Sequence, residues 1–187
     1  MSYDLIFLLE EPSLKNVLEM LLPKIIPNSL TYQLIPHRGK QDLARSIPRK
    51  IKAFQFSPTT KFIIVHDQDS HDCIQLKTEL LTICQNAGQS DILIRIVCRE
   101  LESWFLGDLA AVEKAYGLKP QSLSRKQTQQ KFRNPDQLNN AKQELIKLVK
   151  EYYEATHSKA IAPHLSLTDN KSHSFQIFIE GIRNFIG

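Results

Sequence analysis

Hydrophobic residues in the first part of the chain form short continuous runs, separated by segments in which they recur every three or four positions. The runs cover residues 3–9, 30–35, 61–66 and 91–98, and the continuity of the first and third is typical of strands that are buried on both faces. A segment with helical spacing follows each run, as residues 41–54 do after the second. This order predicts an α/β fold with a mostly parallel four-stranded sheet and helices on both faces.

The last third of the chain is predicted to be helical. The polar residues 118–134 are predicted to form a mobile loop. Asn134 and Pro135 are typical of the start of a helix, which we expect to continue to about Ala155. Ser174 can cap a final helix that carries apolar residues at helical spacing.

A chain of 187 residues can form one domain with a substantial core. We predict a single domain over residues 1–187, with an α/β core over 1–117 and a helical extension over 118–187. No apolar run approaches the roughly 20 residues that span a bilayer, and no basic segment precedes the first run. We therefore expect a cytoplasmic protein with no membrane contact. The cysteines form no CxxC pair and are expected to be reduced.

The net charge of +4 is unevenly distributed along the chain. Residues 1–118 carry 13 basic and 14 acidic side chains, whereas residues 119–159 carry 9 basic and 4 acidic ones. The basic segment indicates either a contact with nucleic acid or a solvated helix face. Its cations within the predicted loop are candidates to bind a nucleic-acid backbone. These cations are Arg125, Lys126, Lys131 and Arg133.

Carboxylates follow two of the predicted strands at the points where those strands end. Glu10 comes directly after the first strand, and Asp67 and Asp69 come after the third. Because the carboxyl ends of parallel strands share one edge of a sheet, we expect these side chains to converge there. Converging carboxylates repel one another unless a cation joins them, and hard oxygen ligands favour Mg²⁺ or Mn²⁺. The alternative is structural, since Asp69 or Ser70 can cap the helix that follows.

Further polar residues follow the second and fourth strands at the same edge. His37 and Lys40 lie in a glycine-containing turn that suits a phosphate contact, although an ordinary turn between a strand and a helix has a similar composition. Lys40 and Arg99 are candidates to stabilise phosphate charge. Of Glu100 and Glu102, we prefer Glu102 as a further metal ligand, and both are also typical of a first helical turn. Two histidines, His66 and His71, flank the Asp-x-Asp segment; either could assist proton transfer or contact phosphate, although such histidines are more typical of packing or surface positions.

A strand that ends in Glu10 and a later strand that ends in Asp67-Gln68-Asp69 resemble the TOPRIM fold of topoisomerases, primases and OLD-family nucleases. Glu10 matches the glutamate of that pattern, and Asp67 and Asp69 match its metal-binding pair. The glycine that usually follows the glutamate is replaced here by Glu11. The chain more closely resembles an uncharacterised bacterial TOPRIM-like family, a distant relative of the OLD-family nucleases. The segments that carry this resemblance are residues 10–13, 37–43, 67–73, 99–104 and 174–176.

The resemblance implies a TOPRIM-like (Rossmann-like) fold and a Mg²⁺- or Mn²⁺-dependent nuclease, or related phosphodiester-transfer enzyme, that acts on DNA or RNA. Asp67 and Asp69 would hold a metal, Glu102 would complete a second metal site, and Glu10 would be a ligand or a general acid or base. Relatives often sit beside ATPase genes in bacterial defence systems. An alternative is therefore a non-catalytic regulatory subunit that binds metal or nucleotide and partners an ATPase. A primase-like polymerase would need a template-binding module, of which the sequence shows no sign.

Overall fold

Four strands form one sheet in the order β2-β1-β3-β4, and all neighbouring strands are parallel. The computed structural model describes residues 3–54 and 59–187. The strands are β1 (Leu5–Leu9), β2 (Tyr32–Pro36), β3 (Lys61–Asp67) and β4 (Ile92–Val97). The predicted α/β fold with a parallel four-stranded sheet is therefore confirmed, and each strand begins and ends within about two residues of its prediction.

The helices that the structure describes fill the connections between the strands and most of the chain after β4. Their bounds are α1 (Pro12–Leu21), α2 (Lys40–Ala53), α3 (Cys73–Asn86), α4 (Glu102–Leu106), α5 (Leu109–Ala115), α6 (Gln130–Arg133), α7 (Ala141–Val149), α8 (Glu154–Ile161) and α9 (His173–Ile186). None of these described helices is both long and apolar enough to cross a membrane.

The sheet is covered on both faces, and the side chains of its central strands alternate between two hydrophobic layers. Leu5, Phe7 and Leu9 of β1 belong to the layer that includes α1, α4, α5 and α9. Ile6 and Leu8 belong to the layer formed with α2 and α3. All five side chains are at most 2% exposed. Burial on both faces explains the continuous apolar run of this strand, and the prediction of helices on both faces is confirmed.

The segment over residues 118–134 is not the loop that its polarity predicts. It contains a 3-10 turn at Ser124–Thr128, which is followed by α6. Leu123 is 4% exposed and Phe132 is fully buried, so both attach the segment to the main core. The prediction of a mobile loop is wrong because two apolar residues that lie far apart in a polar sequence give no periodic signal.

Glu113 of α5 holds the start of that segment through its carboxylate. The oxygens accept hydrogen bonds from the backbone N–H groups of Gln121 at 2.8 Å, Leu123 at 2.8 Å and Ser124 at 3.1 Å. These bonds, with that from Leu123 first among them, lower the pKa of Glu113 to about 2. A single side chain therefore ties the backbone of residues 121–124 to α5.

The single helix predicted from Asn134 to Ala155 is divided in the structure into a 3-10 turn at Pro135–Gln137 and the helices α7 and α8. Helix α7 ends at Val149, and Lys150 follows with a φ of +69°, a left-handed conformation that interrupts a helix. Helix α8 begins at Glu154. The prediction is wrong because the left-handed position is occupied by a lysine, whereas glycine or asparagine is the usual signal for such a break.

The last helix, α9, is capped by Ser172 rather than by the predicted Ser174. The Ser172 Oγ accepts a hydrogen bond from the Phe175 N–H at 3.2 Å. Ser174 lies within the first turn, and its N–H donates to the Asp136 Oδ2 at 2.6 Å. The predicted final helix is confirmed, but it begins at His173 because the capping serine lies earlier in the chain.

A close approach between α4 and the chain before α9 leaves no room for a side chain at Gly107. Asn170 is fully buried, and its Nδ2 donates to the Trp104 carbonyl at 2.8 Å. The Asn170 Oδ1 accepts a hydrogen bond from the Ser172 N–H, also at 2.8 Å. A Cβ atom at Gly107 would lie 2.0 Å from this oxygen and 2.6 Å from the Ser172 nitrogen. The glycine is therefore required by packing.

We expect Gly107→Ala to lower the free energy of unfolding by about 1–3 kcal/mol, because the added methyl group must displace a buried, hydrogen-bonded side chain. Urea denaturation followed by circular dichroism measures the change. Gly181→Ala is the matched control, since its Cβ would meet the flexible end of Arg95, which can move aside at a smaller cost. Equal stability of Gly107→Ala and the wild-type protein would contradict this account of the packing.

Candidate functional site

Four carboxylates that were predicted to bind metal lie at the carboxyl edge of the sheet. Glu10 directly follows β1, Asp67 is the last residue of β3, and Asp69 comes two residues later. Glu102 is the first residue of α4, in the connection after β4. Asp67 is central to the group, since the charges of the other three all act on its carboxyl group. The parallel topology therefore brings these carboxylates together.

Glu10 is held in place by β3. It is 8% exposed, and its Oε2 accepts a hydrogen bond from the Asp67 N–H at 2.8 Å. The Nδ1 of the buried His66 lies 2.8 Å from the same oxygen and also faces the Asp67 carbonyl, so this nitrogen carries a proton. Burial opposes a charge on His66, but the hydrogen bond and charge of Glu10 outweigh it and raise the pKa of His66. Glu10 and His66 thus form a hydrogen-bonded pair within the site.

The carboxylate of Asp67 is poorly satisfied. Its Oδ1 is inaccessible to solvent and has no hydrogen-bond partner among the residues that the structure describes. Burial raises the pKa of Asp67 well above its usual value, and the charges of Glu11, Glu10, Glu102 and Asp69 raise it further. Within the described chain, no lysine or arginine forms an ion pair with it. An ionised Asp67 therefore lowers stability unless a cation reaches it.

Glu102 is a second carboxyl group whose pKa is changed by burial. It is 4% exposed, and burial raises its pKa to about 7. Its carboxyl group faces the Tyr152 hydroxyl. Glu100 has a different role, because its Oε2 accepts a hydrogen bond from the Lys142 N–H at 2.9 Å, at the start of α7. Of the two glutamates after β4, Glu102 is thus the one whose charge reaches Asp67.

The loops after β3 and β4 are joined in an uncommon backbone conformation. Asp69 and Arg99 have φ angles of +51° and +63°, in the left-handed region that residues other than glycine rarely adopt. The Asp69 N–H donates to the Arg99 carbonyl at 2.9 Å, and the Arg99 N–H donates to the Gln68 Oε1 at 3.1 Å. Such conformations persist where the surrounding structure fixes them, and they are frequent at functional sites. These bonds fix the loop of Asp69 relative to β4.

Lys40 and Arg99, which were predicted to contact phosphate, adjoin the acidic group in different clefts. Lys40 lies at the start of α2 and lines a cleft of about 200 Å³ with His66 and His71. Arg99 lines a cleft of about 470 Å³ with Asp69. The two cations therefore do not share one phosphate pocket.

His37, the third residue predicted to contact phosphate, is buried behind the strand ends. It is 6% exposed, and its Nδ1 donates to the Leu9 carbonyl at 2.8 Å. Its Nε2 is also buried and has no partner among the described residues. The ring is therefore fixed to the backbone of β1, and its role in phosphate binding stays a prediction.

Three further residues of the site were not found from the sequence. Burial raises the pKa of Glu11, and the charges of Glu154 and Glu10 raise it further, while the Ser13 hydroxyl donates to its carboxylate. Lys142 forms an ion pair with Glu154. Glu11 directly follows Glu10, and this position could have indicated from the sequence that it belongs to the site. Lys142 and Glu154 reach the site from α7 and α8, and no local pattern predicts such a contact.

The carboxylates are gathered but do not form a complete ligand set. In the part of the chain that the structure describes, no group of three or more His, Cys, Asp or Glu side chains is arranged to hold a metal ion. The hydrogen bonds of Glu10 to β3 account for part of this, since they direct its carboxylate toward His66 and the Asp67 backbone. The donor chemistry nevertheless fits a hard divalent cation, because every candidate ligand is a carboxylate and one Asp67 oxygen has no described partner.

The sequence matches one family model over residues 9–183, and that family is described as Domain of unknown function (DUF4276). No curated protein matches the chain. The structure is similar to the C-terminal region of the Burkholderia pseudomallei OLD protein, with 13% identity, 100% of both chains covered and a TM-score of 0.56. It is also similar to the C-terminal region of the Xanthomonas campestris pv. campestris OLD protein, with 17% identity, 98% of this chain and 96% of that chain covered, and a TM-score of 0.51. At these identities the likeness shows a shared fold, and the TOPRIM assignment stays a prediction.

We expect Asp67→Asn to raise the free energy of unfolding of the metal-free protein at neutral pH, because it removes a buried charge that neighbouring carboxylates repel. A carboxyl group whose pKa is higher in the folded state than in the unfolded state loses stability as the pH rises from its usual pKa of 3.8 through its raised pKa. The advantage of Asp67→Asn should therefore grow as the pH rises through that window and should disappear below it. Urea denaturation in a chelator, repeated across this pH range, measures it.

The control for this pH series is Asp91→Asn, which changes an exposed carboxylate before β4. It should leave the pH dependence of stability close to that of the wild-type protein. If Asp67→Asn and Asp91→Asn give the same pH profile, the carboxylate of Asp67 is not strained in the way described.

Proposed function

We propose a function for this chain, which belongs to the family described as Domain of unknown function (DUF4276): it is a Mg²⁺- or Mn²⁺-dependent nuclease, or a related phosphodiester-transfer enzyme. The observation that carries the proposal is the carboxylate of Asp67, whose Oδ1 is buried without a described partner. Four neighbouring carboxylates raise its pKa further. A group of charges that repel one another lowers stability, and a divalent cation would offset this.

Asp67 and Asp69 would hold the cation, with Glu10 and Glu102 as further ligands. Carboxylate oxygens are the donors that Mg²⁺ and Mn²⁺ prefer. When bound, the cation would supply positive charge to offset the negative charge that develops on a phosphodiester as it is cleaved. Recruitment of Glu10 would require its carboxylate to turn away from His66, to which it is hydrogen-bonded.

The other residues of the site would bind the phosphodiester and hold a proton. Arg99 lines the cleft that contains Asp69, and Lys40 lines the cleft that contains His66. Both side chains can bind phosphate oxygens, and the Arg99 guanidinium can do so with two N–H donors at once. The Nδ1 of His66 lies 2.8 Å from the Glu10 Oε2, so the pair can give or accept a proton at this position.

Nucleic acid is the proposed substrate for two reasons. The fold is shared with the C-terminal regions of two OLD proteins, and the sequence resembles the TOPRIM pattern of OLD-family nucleases. In addition, residues 119–159 carry 9 basic and 4 acidic side chains. Arg125, Lys131 and Arg133 are exposed within this segment. Such a surface attracts a phosphate backbone without reading base sequence.

A second candidate function is a non-catalytic regulatory subunit that binds metal or nucleotide and partners an ATPase. It is favoured by the orientation of Glu10, whose carboxylate is occupied by His66 and the Asp67 N–H. It is also favoured by Glu11, which stands where the TOPRIM pattern usually has glycine. A partner that reorients Glu10 would then be needed before the acidic group could act.

We expect Mg²⁺ or Mn²⁺ to raise the melting temperature of the wild-type protein and to have little effect on Asp67→Asn. Saturation at about 100 times the dissociation constant would add about 2.7 kcal/mol to the free energy of unfolding. Differential scanning calorimetry with and without each cation measures the shift, and Asp91→Asn should respond as the wild-type protein does. Equal responses of the wild-type protein and Asp67→Asn would show that the cation binds elsewhere.

We expect the wild-type protein to cleave nucleic acid only in the presence of a divalent cation. Labelled single-stranded DNA, double-stranded DNA and RNA are the substrates, and gel electrophoresis detects the products. Asp67→Asn and Glu10→Gln should reduce the rate at least a hundredfold, because both remove charge from the acidic group.

The two measurements together separate the candidate functions. Cation binding with cleavage supports the nuclease. Cation binding without cleavage of any substrate supports the regulatory subunit. If no cation is bound and nothing is cleaved, the acidic group is not a metal site.

A further inference from the structure

A groove follows the free edge of the sheet, along the outer side of β4. Among the described strands, β4 pairs only with β3, so its other side is not covered by a strand. The groove has a volume of about 530 Å³ and is lined by β4 itself and by residues of α3 and α9. Ile94 and Ile96 form its floor, and the two helices supply opposite walls. An edge strand offers backbone N–H and C=O groups that another extended segment can pair with.

The walls of the groove expose apolar side chains. Ile74 of α3 is 78% exposed, and Ile177 of α9 is 39% exposed. Leu81 also lines the groove on the side of α3. Single exposed apolar residues are ordinary on a protein surface, but those that converge on one groove beside a free strand edge are typical of a binding surface.

The ionisable nitrogen-containing side chains of the groove are a lysine, an arginine and a histidine, all of which can carry positive charge. Lys77, Arg95 and His173 line it, and its described lining contains no Asp or Glu. Within the described chain, none of the three forms an ion pair with a carboxylate. The groove therefore combines apolar walls with basic side chains that form no ion pair within the described chain.

Arg95 is held in the groove rather than extended into solvent. A Cβ atom at Gly181 would lie 2.0 Å from its Nη2, so the guanidinium packs directly on the backbone of α9. One guanidinium nitrogen donates to the Ile94 carbonyl at 3.2 Å, while Nε is buried and has no described partner. Glu180 is the carboxylate whose charge reaches this group. A partly desolvated guanidinium of this kind favours a carboxylate ligand over water.

We propose that the groove along β4 binds an extended acidic segment of a partner protein, which adds to the sheet as a fifth strand. Alternate side chains of an extended segment point to opposite sides. Its apolar side chains would pack against Ile74 and Leu81 on the side of α3, and its carboxylates would lie near Arg95 and His173 on the side of α9, while Lys77 would add attraction over a longer distance. Backbone pairing gives affinity in this mode of recognition, and the side chains give specificity. This inference does not depend on the proposed nuclease activity.

A second copy of this chain is a poor occupant of the groove. If two β4 strands paired with each other, each copy would bring Lys77, Arg95 and His173 toward the same groups of the other. Like charges placed together oppose association, whereas an acidic segment is attracted by them. Charge complementarity therefore selects the acidic partner.

The test uses three fluorescein-labelled peptides and the full chain. The first peptide alternates valine and glutamate over eight residues. The second replaces each glutamate with lysine, and the third is the valine–glutamate peptide with every second backbone nitrogen methylated. Fluorescence anisotropy measures binding. We expect the first peptide to bind at least tenfold more tightly than either of the others, because they lack the charge or the backbone donors that the groove requires.

Substitutions at Ile74 locate the site. Its side chain is 78% exposed, so the fold should tolerate a change there. Ile74→Glu places a negative charge in the groove and should weaken binding of the valine–glutamate peptide at least tenfold. Ile74→Lys, the matched control at the same position, should preserve or strengthen it. Lys77→Gln should weaken binding several-fold, and hydrogen exchange of the β4 amides should slow when the first peptide binds.

Several outcomes would overturn the inference. One is the absence of binding by folded protein at millimolar peptide. Another is equal binding of the glutamate and lysine peptides, or an unchanged affinity in Ile74→Glu. Sedimentation that reveals a dimer in the wild-type protein and a monomer in Ile74→Glu would make a second copy the occupant, and this would also overturn the proposal.

Discussion

The pairing of β1 with β3 is the constraint on which the site depends, because it fixes where the chain places its carboxylates. Leu9 pairs with Val65, so Glu10, the next residue of the chain, lies level with His66 and close to Asp67, which follows His66 in β3. Both paired residues are fully buried, and burial of an apolar side chain of this size contributes about 1.5–3 kcal/mol. Repeated along two central strands, this energy exceeds the repulsion among a few carboxylates. The hydrophobic layers therefore hold together charges that would separate if they were free to move.

The sequence was sufficient to predict the sheet because its central strands, β1 and β3, are buried on both faces, which leaves continuous apolar runs that are typical of such strands. The same runs placed Glu10, Asp67 and Asp69 at one edge. The helical extension was harder to predict, since Phe132 anchors it from within a polar segment and Lys150 interrupts a helix without glycine. The direction of the Glu10 carboxylate depends on a contact with β3 far along the chain, and only the folded structure defines it.

The distribution of charge over the molecule bears on how a nucleic acid would approach. The carboxyl edge of the sheet carries the acidic group around Asp67, and a phosphate backbone is repelled by such a group. Arg99 and Lys40 lie in two separate clefts next to the acidic group. The basic segment of residues 119–159 adds long-range attraction for a phosphate backbone. A nucleic acid must therefore be attracted to the surface and must also reach the acidic group. In the proposed nuclease, a bound Mg²⁺ or Mn²⁺ ion would allow a phosphate to reach that group. Nucleic acid that binds without a metal ion should not place a phosphate at Asp67.

The carboxylates of Glu113 and Asp67 differ in a way that indicates that the acidic group is not needed for folding. Glu113 accepts hydrogen bonds from three backbone N–H groups, and its pKa is lowered to about 2. That is the expected result when a carboxylate stabilises its own surroundings. Asp67 is affected in the opposite direction: burial and four neighbouring carboxylates raise its pKa, and its Oδ1 has no described partner. A neutral side chain of similar size would fit the end of β3 with less strain, so the charge at Asp67 is better explained by a ligand that the protein binds than by the fold that holds it.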